Sequence, residues 1–169
     1  MNIWNVVAGG TGLLAIAVIG SFLLPRHIHV ERQATLTAAP EVILELATSN
    51  KGYQRFNPYV SSDPDLKIRP FGPDEGIGSG FKFEGREGKG QQIVAAITKN
   101  SVRYDIDLGS MGNPKQTITA KAEPNGTHVI WSMDADLGMN PIARVFGLFM
   151  DGMVGPTLER GLSNLDTAT

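Results

Sequence analysis

Four side chains of this 169-residue chain are candidates for acid–base or oxyanion chemistry inside a cavity: Arg32, Glu84, Tyr104 and Asp151. Tyr104 falls on the apolar side of an alternating stretch. It is either a proton donor or, more commonly for that setting, a core tyrosine whose hydroxyl has found a partner. Asp151 lies in an apolar helical segment, where burial would raise its carboxyl and make it an acid; a solvent-facing position or a pair with Arg144 would make it structural. Arg32 shares the alternation of Val30 and Ala34 and so points into the concave side of a sheet or toward its mouth. Glu84 alternates with Lys82 and faces out. His128 lies opposite the face of Trp131 and is poorly placed as a general base. His27 and His29 would share a strand face as a weak metal pair, but an interfacial or solvent-exposed role is the plainer reading. No metal site, no cofactor and no catalytic constellation follow from these residues, and whether the chain is an enzyme stays open.

The glycine runs raise the question of phosphate binding. Gly76-x-Gly78-x-Gly80 lacks the helix that should follow, and Gly85-x-x-Gly88-x-Gly90 lacks the Lys-Ser/Thr of a P-loop, so both read as hairpin turns. The absence of cysteine removes disulfides, thiolate zinc sites and a cysteine nucleophile. Fifteen basic residues stand against 17 acidic ones, with mixed signs and no basic stripe, which predicts no nucleic-acid partner.

The elements that must position these residues follow from periodicity. Residues 26–37 alternate as a first strand. Ala39-Pro40-Glu41 opens a helix with proline in its first turn and an acid at its positive end. Ser49-Asn50-Lys51-Gly52 ends it, with Gly52 as a left-handed cap, and a second short helical turn around Tyr53 and Phe56 stops before Pro58. From Asp65 onward, period-two segments near 66–71, 80–84, 91–98, 102–108, 116–122 and 127–135 read as consecutive antiparallel strands. Their inward set is Phe81 and Phe83; Ile93, Ala95 and Ile97; Val102, Tyr104, Ile106 and Leu108; Ile118 and Ala120; Val129, Trp131 and Met133. The tail covers that face: Ile142, Val145, Phe146, Phe149, Met150, Met153, Leu158, Leu162 and Leu165 recur at helical spacing, with a kink expected at Gly155-Pro156. Its first half is apolar on nearly all sides, so it lines a cavity or meets a further surface. The aromatic and methionine side chains are compatible with either a ligand cavity or a solid core.

At the amino end, Ile3 to Leu24 is a run of 22 positions without a charged residue or histidine. As a helix it would span roughly 33 Å, enough to cross a hydrocarbon core. An uncleaved anchor is the preferred reading over a cleaved signal, because the basic n-region is missing and the run is long. Arg26 and Arg32 after the run lean the following domain toward the cytoplasm, with the exported side as the alternative. The expected organisation is an anchor over 1–25, a single-pass membrane location, and one domain over 26–169.

The stretches Ala38-Ala-Pro-Glu-Val42, Tyr53-x-x-Phe56-Asn-Pro-Tyr59, Gly78-x-Gly80-Phe81-x-Phe83, His128-Val-Ile-Trp131 and Asn140-Pro through Met150-Asp-Gly-Met-Val-Gly-Pro156 resemble the START-like (SRPBCC) superfamily, in its polyketide cyclase/dehydrase and lipid-transport branch. The resemblance covers Arg26 to Asp166. It departs at the aromatic-Asn-Pro-aromatic element, which is commonly Trp-rich and here carries Phe and Tyr. It implies an α+β helix-grip fold, with a seven-stranded curved antiparallel sheet wrapped around a long C-terminal helix and two short helices after the first strand. It also implies a hydrophobic cavity, here lined by Phe56, Tyr59, Phe81, Phe83, Tyr104, Trp131, Phe146, Phe149, Met150 and Met153. The implied partner is a hydrophobic or amphipathic small molecule such as a lipid, isoprenoid or polyketide-like compound. A cyclase or dehydratase using Tyr104 with Asp151 or Arg32, and a protein-interaction module, are the alternatives.

Overall fold

The period-two segments pair into one sheet in the computed structural model, which describes residue 20, residues 22–86 and residues 88–169. The strands are β1 (His27–Leu36), β2 (Lys67–Phe71), β3 (Gly80–Gly85), β4 (Gly88–Ile97), β5 (Ser101–Asp107), β6 (Lys115–Glu123) and β7 (Gly126–Asp136). Their spatial order is β1-β7-β6-β5-β4-β3-β2. The strands from β2 to β7 thus form a meander by simple hairpins, and β1 pairs with β7, from His27↔Asp136 to Leu36↔Thr127. The one long crossing carries α1 (Pro40–Thr48) and α2 (Asn50–Phe56) from one sheet edge to the other. After β7 come α3 (Pro141–Gly147) and α4 (Met150–Ala168). This is the helix-grip architecture expected from the sequence.

Alternation explains the core. Val102, Ile118, Val129 and Trp131 are at most 1% exposed, and they meet Ile43 and Ala47 of α1 and Leu158, Leu162 and Leu165 of α4. The α4 helix lies against β1, β7 and α2, while α1 covers β5 and β6. Small residues let α4 come close. A Cβ at Gly161 would overlap the Trp131 ring, and one at Gly155 would overlap the Arg32 guanidinium.

Four local expectations are corrected. Gly52 is not a left-handed cap. The first helix stops at Thr48, Ser49 Oγ accepts the Gly52 N–H at 2.8 Å as the N-cap of α2, and Gly52 sits inside that helix where a Cβ would overlap the Leu46 carbonyl. On β4, Gln92 and Val94 face the core rather than Ile93 and Ala95, because Gln92 pairs opposite Phe81 and Val94 opposite Tyr104. A bulge between Val94 and Ala96 then inserts one residue and reverses the parity, so Ile97 lies opposite the buried Val102. The tail breaks at Leu148 and Phe149, not at Gly155-Pro156. There the ladder tightens to i−3 bonds, Leu148 N–H to Val145 O and Phe149 N–H to Phe146 O. Helix α4 runs through Pro156, whose missing donor concerns the carbonyl of the exposed Gly152, which water can serve.

The fourth correction concerns the membrane. Residues 3–19 and 21 of the expected span lie outside the described residues, and among the described residues no helix is long and apolar enough to cross a membrane. The single-pass location is overturned on that finding. Of the last residues of the run, Phe22 and Leu23 form a turn, with the Leu23 N–H donating to Gly20 O.

Candidate functional site

Tyr53 of α2 organises the interior. Its ring centroid lies 4.8 Å from Phe56, 5.3 Å from Phe81, 5.4 Å from Tyr104 and 6.3 Å from Trp131, the last two edge-on. Phe56 also meets Trp131 edge-on at 5.7 Å. Such tilted and T-shaped contacts add to the area the rings bury. The polar tips are engaged: Tyr104 donates its hydroxyl to Ala47 O at 2.6 Å, and Trp131 Nε1–H donates to Gln116 Oε1 at 3.0 Å. Burial pushes the hydroxyls of Tyr53 and Tyr104 well above the ordinary tyrosine range. The void left among Ala47, Ser49, Tyr53, Ser79, Phe81, Gln92, Val94 and Tyr104 measures about 10 Å³.

The ten residues expected to line a cavity divide into two groups. Phe56, Phe81, Tyr104 and Trp131 come together in this packed cluster, with Phe83 half-buried beside Phe81 at 6.3 Å and Tyr59 half-buried after the buried Pro58. Met150 packs partly against the core. Phe146, Phe149 and Met153 stand on the outside, 54%, 61% and 54% exposed. They are joined there by Met139, Ile142, Val145 and Leu148, all exposed. Asn140 starts this face by accepting the N–H groups of Ile142 and Ala143 at its Oδ1.

Two arginines fix the face to the domain. Arg144 is buried and donates to Gly138 O and Phe22 O at 2.9 Å each, with its guanidinium 5.5 Å from the Phe22 ring centroid. It does not pair with Asp151. That carboxylate accepts from Arg32 at 2.9 and 3.1 Å, and Arg32 Nε donates to Glu159 at 2.7 Å. The hydrogen bonds from Arg32 hold the Asp151 carboxyl below its usual range, which makes Asp151 a clamp between β1 and α4 and a poor acid. Glu84 is exposed, as its alternation requires. His128 bonds Gln33 and Glu123 on the outer face, and His29 bonds Asp134 and Glu31 there. Tyr53, the hub of the cluster, was not singled out by the sequence as a site residue. The signal was present in three aromatics within seven positions.

A curved antiparallel sheet closed by a long terminal helix, with an aromatic interior and an apolar helix face beside it, defines a helix-grip domain. The chain belongs to the polyketide cyclase/dehydrase and lipid transport family, whose model matches residues 27–169. No curated protein matches the sequence. Among solved structures it is similar to norcoclaurine synthase from Thalictrum flavum in complex with dopamine and hydroxybenzaldehyde, at 11% identity and a TM-score of 0.65 over 88% of this chain and 89% of that one. It is also similar to the major latex-like protein 151 of Panax ginseng, at 13% identity and a TM-score of 0.57 over 85% and 97%. A third likeness is to the Aha1 dimer of Colwellia psychrerythraea, at 15% identity and a TM-score of 0.57 over 84% and 98%. At these identities the likeness shows the fold.

Proposed function

We propose that the protein binds a hydrophobic or amphipathic small molecule of the lipid, isoprenoid or polyketide class. The carrying observation is the apolar face of α3 and the start of α4, where Ile142, Phe146, Phe149 and Met153 recur at spacings of four, three and four and are each more than half exposed. A continuous apolar patch on a domain with a complete core marks a binding surface. Covering it removes apolar area from water at roughly 25 cal/mol per Å². Met150 leads from that face toward the interior, and Tyr59, Phe83 and the ring cluster of Phe56, Phe81, Tyr104 and Trp131 are the walls a ligand meets on entering. Because that cluster holds almost no free volume, deep uptake requires the helix pair to move at its Leu148–Phe149 turn. The family includes polyketide cyclases and ligand carriers, which is consistent with a small-molecule partner.

The test is a titration of the full chain with the neutral apolar fluorophore N-phenyl-1-naphthylamine. Wild type should give saturable enhancement, the double variant Phe146→Ser/Phe149→Ser should lose most of it while keeping its unfolding midpoint, and Ile77→Ser, at an exposed apolar position elsewhere, should behave as wild type. Undiminished uptake in the double variant sinks the reading.

A further inference from the structure

On the sheet face opposite the helices, the register of β2, β3, β4 and β5 builds two cross-strand rungs. One is Lys67–Glu84–Lys89 and the other is Arg69–Lys82–Gln91–Asp107. Strands stand about 4.8 Å apart and same-face residues along a strand about 7 Å apart, so four cations share a patch only two strand spacings wide. These side chains, together with Phe83 and Leu108, line a groove of about 610 Å³, walled at one side by the 3-10 turn Gly109–Met111.

The second rung is the unusual one. Glu84 sits between Lys67 and Lys89 and balances that rung, whereas Arg69 directly faces Lys82, a like-charge pair that costs stability unless something compensates it. The acid ending this rung, Asp107, is separated from Lys82 by Gln91, and its carboxylate is taken up by the N–H of Gly109 at 2.8 Å. Among the described residues, Lys67, Arg69, Lys82 and Lys89 make no ion pair, as holds for the other lysines, so their charges are not already taken up by acids of the chain. Edge protection accounts for charge on β2, which also carries Pro70 and ends the sheet. It does not account for Lys82 or Lys89, which stand on interior strands. Among the described residues the groove therefore gathers four cations against two acids, in a chain whose net charge is −2.

We propose that this groove is a binding site for a phosphate-bearing small molecule, with the phosphate received between Arg69 and Lys82. The Arg69 fork and the Lys82 ammonium supply charge-assisted donors, Gln91 supplies an amide donor, and the excess of two positive charges matches a phosphate dianion. Ser110 on the wall offers a hydroxyl to whatever the phosphate is attached to. The site lies on the other side of the sheet from the apolar helix face and stands or falls independently of it.

Amide spectra of the isotope-labelled full chain, titrated with inorganic phosphate and with glycerol 3-phosphate at constant ionic strength, test this. Saturable shifts should be confined to residues 67–69, 82–84, 88–91 and 107–111. Arg69→Gln and Lys82→Gln should each weaken binding roughly tenfold, and Lys99→Gln, on a distant turn, should leave it unchanged. Tighter binding of glycerol 3-phosphate than of phosphate assigns the site to esters, and equal binding assigns it to free phosphate. Shifts spread evenly over Lys51, Lys99 and Lys121, the same shifts with chloride alone, or full affinity in the Arg69→Gln and Lys82→Gln variants would overturn the proposal.

Discussion

The ring cluster around Tyr53 and the outer face of α3 are built from the same kinds of side chain in opposite conditions. Phe56 is fully buried, with two aromatic neighbours within 6 Å, whereas Phe149 is 61% exposed. Intrinsic hydrophobicity is equal in the two places. What differs is the partner. The sheet, α2 and α4 converge on Tyr53 from several directions, while α3 is attached through Arg144 and Gly147 and turns its remaining apolar residues away. The core therefore accounts for stability, and the face is free to be shaped by what it meets.

The largest effect that would test this contrast is Trp131→Ala. Removing a ring that is 1% exposed and pressed against Gly161 should cost on the order of 3–5 kcal/mol in urea unfolding. A loss below 1 kcal/mol, roughly that of a surface change, would mean the cluster is not the packed centre. Next is Tyr104→Phe, which deletes the hydrogen bond to the Ala47 carbonyl and should cost about 0.5–1.5 kcal/mol. This variant also sharpens the pH behaviour. Burial raises the hydroxyls of Tyr53 and Tyr104 in the folded state, so their contribution is intact below the unfolded tyrosine value near 10 and is lost as pH climbs past it. Stability measured across that range should fall for wild type and fall less steeply for Tyr104→Phe; identical slopes would place the titrating groups elsewhere. The smallest effect belongs to the outer face, where Phe149→Ser should change stability by within about 0.5 kcal/mol. A cost comparable with that of Trp131→Ala would show that something in the protein covers the face.

The alternation of β5, β6 and β7 was legible because one face of those strands is fully covered: Val102, Tyr104, Ile118, Val129 and Trp131 all lie inside. On β4 the same rule failed, since the bulge near Ala95 switches faces in mid-strand and polar Gln92 goes inward. Residues 93–97 are all apolar, so the change of parity at the bulge leaves no mark in their hydrophobic pattern. The helix break at Leu148–Phe149 was hidden for a related reason. Gly155-Pro156 is the stronger breaker by propensity, but Gly155 is needed small beneath Arg32, and that packing keeps α4 intact. The candidate site was half legible. The aromatic and methionine residues were named correctly as apolar, but whether an apolar helical residue is inside or outside depends on which elements lie over it, and residue type alone does not specify that. The register of Arg69 against Lys82 was likewise beyond reach until the strands were paired.

The pairing of β1 with β7 also sets the order in which the domain can be completed during synthesis. Residue 27 finds its partner at residue 136, so the first strand leaves the ribosome with nothing to hydrogen-bond until almost the whole meander has emerged. The hairpins from β2 to β6 close over short loops and can zip early, whereas the β1–β7 ladder, whose innermost pair is Leu36↔Thr127, must close a loop of 90 residues. Only then can α4, which spans β1 and β7, settle over the sheet. A nascent chain stopped before Gly126 carries β1 as an open edge, the form of this protein most exposed to mispairing with another copy.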